Sequence, residues 1–224
     1  MSDEERESQS RAVDRLTIFS DAVVAIALTL LALDLPVPAG DTVSAFWSAA
    51  RKNDGHYAAF LISFAVIAAA WGTHHDVFGY ARRTDPRLRA FNMTWLLTIV
   101  LIPFATRMLT EVGHPTLGAH ALRFGFYALL QVVEAGALLA MVRHMVSAGL
   151  ASGASRSALT SVVRQCYVLM IGFGLSIPLF FVTTYAWVLW IIVPVLVGQI
   201  RRLRHRAGQK SGGDQTPGGG QAPG

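Results

Sequence analysis

Titratable side chains occur inside long apolar stretches of this sequence. Asp21 lies in the stretch RLTIFSDAVVAIALTLLALDLPVP, His74 and His75 lie in a second stretch, and Glu134 lies in another further along. An ionisable group in such a segment is costly and normally faces protein or a water-filled cavity. These residues therefore indicate a proton relay, a metal site or a packed hydrogen-bonded cluster.

A metal site or an enzyme active site is the less favoured interpretation. Side chains of adjacent helical residues such as His74 and His75 diverge by about 100°, whereas helical zinc ligands stand four residues apart. The sequence also offers no nucleophile and base in register and no phosphate-binding loop. We therefore predict a protein that is not an enzyme and has no cofactor and no metal site.

The apolar stretches that carry these groups have the length of membrane spans. Hydrophobic residues make up 53% of the 224 residues and charged residues only 15%, which is unlike a water-soluble fold. About 20 mostly apolar helical residues cross a hydrocarbon core of ~30 Å. We predict an all-α membrane protein with six transmembrane helices, at about 17–36, 57–79, 90–109, 119–142, 158–181 and 183–200.

The two ends of the chain are polar. Residues 1–14 form a polar lead-in that we expect on the cytoplasmic side, and the six-helix domain then spans residues 15–206. Residues 207–224 are rich in glycine, proline and glutamine and have little apolar surface to bury. We predict that this tail is disordered.

Basic residues cluster between alternate helices, and the net charge is +5. They lie in the second and fourth connections and after the sixth predicted helix: Arg82, Arg83, Arg87, Arg89, Arg143, Arg156, Arg201, Arg202, Arg204, Arg206 and Lys210. By the positive-inside rule this side is cytoplasmic. We therefore predict a multi-pass protein of the cell membrane with both termini in the cytoplasm. A basic rim facing lipid headgroups explains the charge better than a nucleic-acid site, so the bilayer is the expected partner.

The first predicted helix carries an aliphatic stripe with one hydroxyl, formed by Ile26, Thr29, Leu30 and Leu33. Residues three, four and seven apart share a helix face. Asp21 lies about 140° from Ile26 by the same arithmetic and so points away from whatever the stripe faces. We expect Asp21 to join a hydrogen-bonded cluster with Arg15, Trp71 and the histidines.

The start of this helix resembles the Arg-x-x-x-Phe-Ser-Asp signature of the transmembrane protein 175 family, which comprises potassium channels. The matching residues are Arg15, Phe19, Ser20 and Asp21. The segments WGTHHDVF and FNMTWLLTIVLIPFATRML are similar to the second and third helices of the family, so the resemblance extends to about residue 110.

The resemblance implies a homotetramer of six-helix subunits whose first helices line a central pore for potassium ions. It implies that Ile26, Leu30 and Leu33 form the constriction, with Thr29 as a neighbouring polar group, in place of a carbonyl filter. Selectivity for potassium over sodium would then be modest. The residues it implies in a structural or gating network are Arg15, Phe19, Ser20, Asp21, Trp71, His74 and His75.

Two expectations rest on the remaining intramembrane charges. Glu134 and Arg164 lie at similar depth on adjacent predicted helices, which indicates a buried ion pair, although Arg164 reaching the headgroups beside a protonated Glu134 is an equal alternative. An ion-coupled carrier that uses the aspartate, histidine and glutamate groups is the alternative function. Asp34, just before two prolines, is expected at the outer mouth.

Overall fold

A computed structural model describes residues 3–111, 116–151, 156–183 and 188–190. Its helices are α1 Asp3–Leu33, α2 Val43–Lys52, α3 Asp54–Phe78, α4 Pro86–Thr110, α5 Leu117–Ser147 and α6 Arg156–Phe180. All but α2 are long and apolar enough to cross a membrane, which gives five candidate spans in the described part of the chain. The predicted all-α membrane fold is confirmed at this level. Most of the predicted sixth span at 183–200, and the whole of the tail at 207–224, lie outside the described residues.

Helix α1 is longer than its apolar segment. It begins at Asp3, where the acidic side chains of the first turn complement the helix dipole. Its 31 residues measure about 46 Å, which exceeds a hydrocarbon core of about 30 Å. The polar lead-in is therefore a continuation of the membrane helix, and Thr84 N donates to Gln9 Oε1 at 3.5 Å to fasten it to the α3–α4 connection.

Helix α2 lies in the connection that the sequence indicated as a loop at 37–56. It begins at an N-cap, since the Thr42 side chain accepts a hydrogen bond from Ala45 N at 3.1 Å. Ten residues are too few for a hydropathy window to distinguish from a loop. The residue Asn53 alone separates α2 from α3.

Helices α4 and α5 form the centre of the bundle. Helix α4 packs against α1, α3 and α5, and α6 packs against α5. Trp95, Ile99, Tyr127 and Met141 are among the fully buried side chains at this centre. The start of α4 is set by Asp85, whose Oδ1 accepts from Leu88 N at 2.7 Å, followed by proline at the first helical position.

One end of the bundle brings the α3–α4 and α5–α6 connections together. Ala81 and Ala151 form an isolated antiparallel bridge, and Arg82 N donates to Leu150 O at 2.8 Å. Gly149 adopts a left-handed φ of 62° just after α5, a position that favours glycine and reverses the chain towards this bridge. Since Gln9 also reaches this end, the lead-in of α1 and both connections lie on the same side.

Candidate functional site

The aliphatic stripe of α1 is exposed on the surface of the subunit. Ile26 is 58% exposed and Leu33 79%, and Leu30 is also exposed. Thr29 lies on the same exposed side, and its Oγ1 donates to Ile26 O at 2.8 Å, so the hydroxyl is held against the helix. Phe19, one of the signature residues, extends the stripe towards the start of the helix.

The buried face of α1 lies about 120° around the helix from this stripe. It is formed by Val13, Leu16, Ser20, Val24, Ala27 and Leu31. This face packs against α3 and α4. The subunit therefore uses one side of α1 for its own packing and leaves the Ile26 side without cover.

A buried hydrogen-bonded chain joins α1 to its neighbours. Asn92 Nδ2 on α4 donates to Ser20 Oγ at 3.0 Å, and Asn92 Oδ1 lies 2.7 Å from His74 Nε2 on α3. The amide oxygen can only accept, so this bond places the proton on His74 Nε2. Ser20 Oγ in turn donates to Leu16 O at 2.8 Å. All three side chains that make these contacts are fully buried.

The same chain continues to α5 through a tryptophan of α4. The His74 ring stacks on Trp95 with centroids 4.0 Å apart, and Trp95 Nε1 donates to Glu134 Oε1 on α5 at 2.6 Å. We call the set Ser20, Asn92, His74, Trp95 and Glu134 the polar chain. It connects α1, α3, α4 and α5 through the middle of the bundle.

Asp21 belongs to a separate contact at the edge of the bundle. Trp71 Nε1 donates to Asp21 Oδ1 at 2.8 Å, and the His75 ring lies 5.7 Å from the Trp71 ring. The structure thus places Asp21, Trp71 and His75 together. It places His74 in the polar chain instead, because adjacent helical side chains point in different directions.

Arg15 does not join Asp21 in the described part of the chain, where the ion pairs involve other residues. It is exposed and lies with Arg11 and Arg89 in a groove near the start of α1. The expected cluster of arginine, aspartate, histidine and tryptophan is therefore divided between two contacts and a groove.

The predicted Glu134–Arg164 bridge is wrong. Glu134 is 4% exposed and accepts its hydrogen bond from Trp95 on α4, whereas Arg164 is exposed on α6. Equal depth did not imply a shared direction: α6 turns Cys166, and not Arg164, into the bundle.

The connecting residues Asn92 and Trp95 were not predicted as site residues. Each is fully buried within the apolar α4. A polar amide inside a membrane segment is a usable signal, since such groups need internal partners. Which partner each takes depends on helix packing.

A histidine–carboxylate contact and an ion pair mark the two ends of the bundle. His144 Nε2 lies 2.7 Å from Asp85 Oδ2 where α5 ends and α4 begins. The backbone N–H of Leu88, with a smaller effect from His144, lowers the pKa of the Asp85 carboxyl. At the other end Arg107 pairs with Asp34 at 3.4 Å, so this expected mouth residue already has a cationic partner.

Known proteins resemble this chain over much of its length. Residues 15–103 match the family model described as the endosomal/lysosomal potassium channel TMEM175. A protein of Streptomyces collinus named as a potassium channel is 37% identical over 135 residues, which cover 60% of this chain and 65% of the relative. An endosomal/lysosomal proton channel TMEM175 of Rattus norvegicus is 25% identical over 61% of this chain and 26% of its own length. The chain thus spans less than two thirds of these curated relatives.

A solved structure supports the same relationship. The crystal structure of a TMEM175 homologue from Chamaesiphon minutus, described as a lysosomal potassium-selective channel, superposes with a TM-score of 0.68. It is 27% identical, and the match covers 87% of this chain and 98% of that one. The family model's match at residues 15–103 includes the signature residues of α1 and every member of the polar chain except Glu134. The family-model match, the bacterial relative and the superposed structure together support a prokaryotic member of the TMEM175 family.

Proposed function

We propose that this protein is a potassium-permeable cation channel of the cell membrane. The observation that carries the proposal is the exposed stripe of Ile26, Leu30 and Leu33 on a helix whose other face is fixed by a buried polar chain. Relatives named as potassium channels support the choice of ion. The Arg15-to-Asp21 signature on the same helix supports the choice of α1 as the pore wall.

The proposed constriction acts through dehydration. Rings of aliphatic side chains narrow a pore so that an ion sheds water, and an apolar ring can also close by dewetting. Potassium gives up its hydration shell more readily than sodium, so such a neck favours potassium without binding it tightly. Selectivity for potassium over sodium is therefore modest. Thr29 is the neighbouring polar group, and its hydroxyl is already bonded to the helix backbone.

Four copies of the chain form the proposed pore. The stripe lies on the side of α1 that the subunit leaves uncovered, so symmetric copies can place it around a common axis. Each subunit contributes six membrane helices, with both termini in the cytoplasm beside the basic connections. In this arrangement the polar chain and the Asp21–Trp71 bond hold α1 in its orientation, and none of these residues is a ligand of the ion.

Ion flux into liposomes tests the proposal. The purified full chain is reconstituted, and potassium flux is measured under a gradient, with sodium and proton flux in parallel; native mass spectrometry of the same preparation gives the number of subunits. We expect rapid potassium flux that exceeds sodium flux. Slow, saturable and pH-coupled flux would instead favour the carrier.

A substitution in the stripe tests the pore wall. Ile26→Ser widens and wets the constriction, so we expect larger flux and a ratio of potassium to sodium flux closer to unity. Ile171→Ser is the matched control, since Ile171 is an isoleucine that is 58% exposed, like Ile26, but lies on α6 and not on α1. If Ile26→Ser leaves flux and selectivity unchanged, α1 does not line the pore.

A further inference from the structure

A cavity of ≈ 440 Å³ lies among α3, α5 and α6. Its walls are mainly apolar and include Leu61, Ala65, Ala69, Leu138, Leu169 and Phe173. Binding sites for small molecules have cavities of about 300–1,000 Å³, mostly apolar and with a few convergent polar groups. This cavity has that size and composition, and it is separate from the exposed stripe of α1.

The polar wall of the cavity comes from one turn of α5. Gln131 and Glu134 both line the cavity and are 2% and 4% exposed. They stand three residues apart, so their side chains are neighbours on one helix face. A single head group in the cavity can therefore reach both.

These two side chains have unused hydrogen-bonding capacity. Gln131 Nε2 is buried and, although it lies near the Tyr127 hydroxyl, it makes no hydrogen bond of normal geometry with the residues that the structure describes. Glu134 accepts from Trp95 through Oε1, and a carboxyl group can accept more than one bond. A buried donor without a partner is unfavourable, so this wall favours an occupant that supplies an acceptor.

The pairing of a free donor with an acceptor selects the chemistry of the occupant. A hydroxyl oxygen accepts from Gln131 Nε2, while the hydroxyl hydrogen is donated to Glu134. An ammonium group can donate to Glu134 but has no acceptor for Gln131 Nε2, a carboxylate can accept from Gln131 Nε2 but cannot donate to Glu134, and an alkane does neither. The apolar walls fit an aliphatic tail.

We propose that this cavity binds a neutral amphiphile with a hydroxyl head and an aliphatic tail. The head lies between Gln131 and Glu134, and the tail lies against the leucines of α3, α5 and α6. Binding does not require that the protein conducts ions. Its test is therefore independent of the proposed function.

Photolabelling tests the proposal on the full chain in liposomes. The probe is a diazirine-bearing analogue of 1-decanol, and labelled peptides are identified by mass spectrometry. We expect labels on α3, α5 and α6 that 1-decanol displaces at about tenfold lower concentration than decane, because decane makes neither of the two hydrogen bonds. The advantage over decylamine should be about threefold to tenfold, because decylamine lacks only the acceptor for Gln131. Equal displacement by decane would mean unselective lipid filling and would overturn the proposal, as would preferential displacement by decylamine.

Variants locate the site. Ala69→Phe fills the cavity without touching its polar wall, so we expect labelling to be lost. Ala58→Phe is the matched control, because Ala58 is exposed on the same helix and does not line the cavity. Gln131→Leu should weaken 1-decanol binding by about threefold to tenfold, because it removes the donor.

The variants also provide the outcomes that contradict the site. Unchanged labelling in Ala69→Phe, or unchanged 1-decanol binding in Gln131→Leu, would overturn the assignment. If a variant does not fold, the competition series on the unaltered protein still decides between the hydroxyl amphiphile and the other probes.

Discussion

The two faces of α1 are built from similar residues but are fixed in different ways. The buried face holds Val24 and Ala27 against the bundle and carries Ser20, which is hydrogen-bonded to Asn92. The opposite stripe holds Ile26 and Leu33, which contact little of their own subunit. Hydrophobicity alone does not separate these faces.

One polar contact between helices orients α1. Ser20 Oγ donates to Leu16 O of its own helix in any rotation, but it accepts from Asn92 Nδ2 only when it faces α4, so the buried Asn92 amide has this partner in one rotation of α1. The aliphatic residues would pack adequately in several rotations, because lipid and a helix bundle are similarly apolar. The exposed position of the stripe therefore follows from the polar chain on the other side.

Breaking the polar chain at its centre should have the largest effect. Asn92→Leu keeps a similar volume but leaves the buried Nε2–H of His74 without its acceptor, at about 1–3 kcal/mol, and removes the donor to Ser20 Oγ. We expect the midpoint of thermal unfolding in detergent to fall strongly, with loss of a single oligomeric species on size-exclusion chromatography. Thr94→Leu is the control, since Thr94 is exposed on α4 and bonds only Ala90 O of its own helix. A midpoint equal to that of the control would show that the polar chain does not orient α1.

A serine substitution on each face of α1 should affect stability and ion flux differently. Val24 is 3% exposed, so Val24→Ser removes packing and buries a hydroxyl, and we expect a loss of about 1–3 kcal/mol of stability. Ile26→Ser on the stripe should change stability by only about 0.5 kcal/mol while altering ion flux. Thermal unfolding and flux are measured on both variants. Equal destabilisation by the two would contradict the division of α1 into a packing face and an uncovered face.

Removing the hydrogen bond between Trp71 and Asp21, which lies between the two faces of α1, should have the smallest effect on stability. Trp71→Phe removes the N–H that donates to Asp21, and Trp71 is 40% exposed, so solvent replaces part of the interaction. We expect a loss of about 1 kcal/mol or less. A double-mutant cycle with Asp21→Asn measures the coupling between the two side chains. A coupling energy near zero would mean that Asp21 is not held by this tryptophan.

Hydropathy predicted the five described membrane spans because it averages over about 20 residues and does not depend on contacts. It placed the start of α1 too late, since the polar residues after Asp3 continue the same helix outside the apolar segment. Helical spacing likewise placed Ile26, Leu30 and Leu33 on one face. It could not say which face the bundle buries.

Pairing across helices was the part that the sequence could not provide. Depth along two helices can be estimated at about 1.5 Å per residue, but the direction of each side chain depends on how the helices are rotated. Glu134 and Arg164 therefore seemed matched, although Glu134 bonds Trp95. For the same reason the sequence could not tell which of His74 and His75 would be buried; the packing of the helices buries His74.

Helix α1 is continuous from Asp3 to Leu33, and this continuity restricts insertions within it during evolution. One residue inserted between Leu16 and Ser20 would rotate everything beyond it by about 100°. The stripe would then turn towards the bundle and the hydroxyl of Ser20 towards lipid. We expect natural relatives to vary this helix by substitution and to keep its length from Arg15 to Leu33 constant.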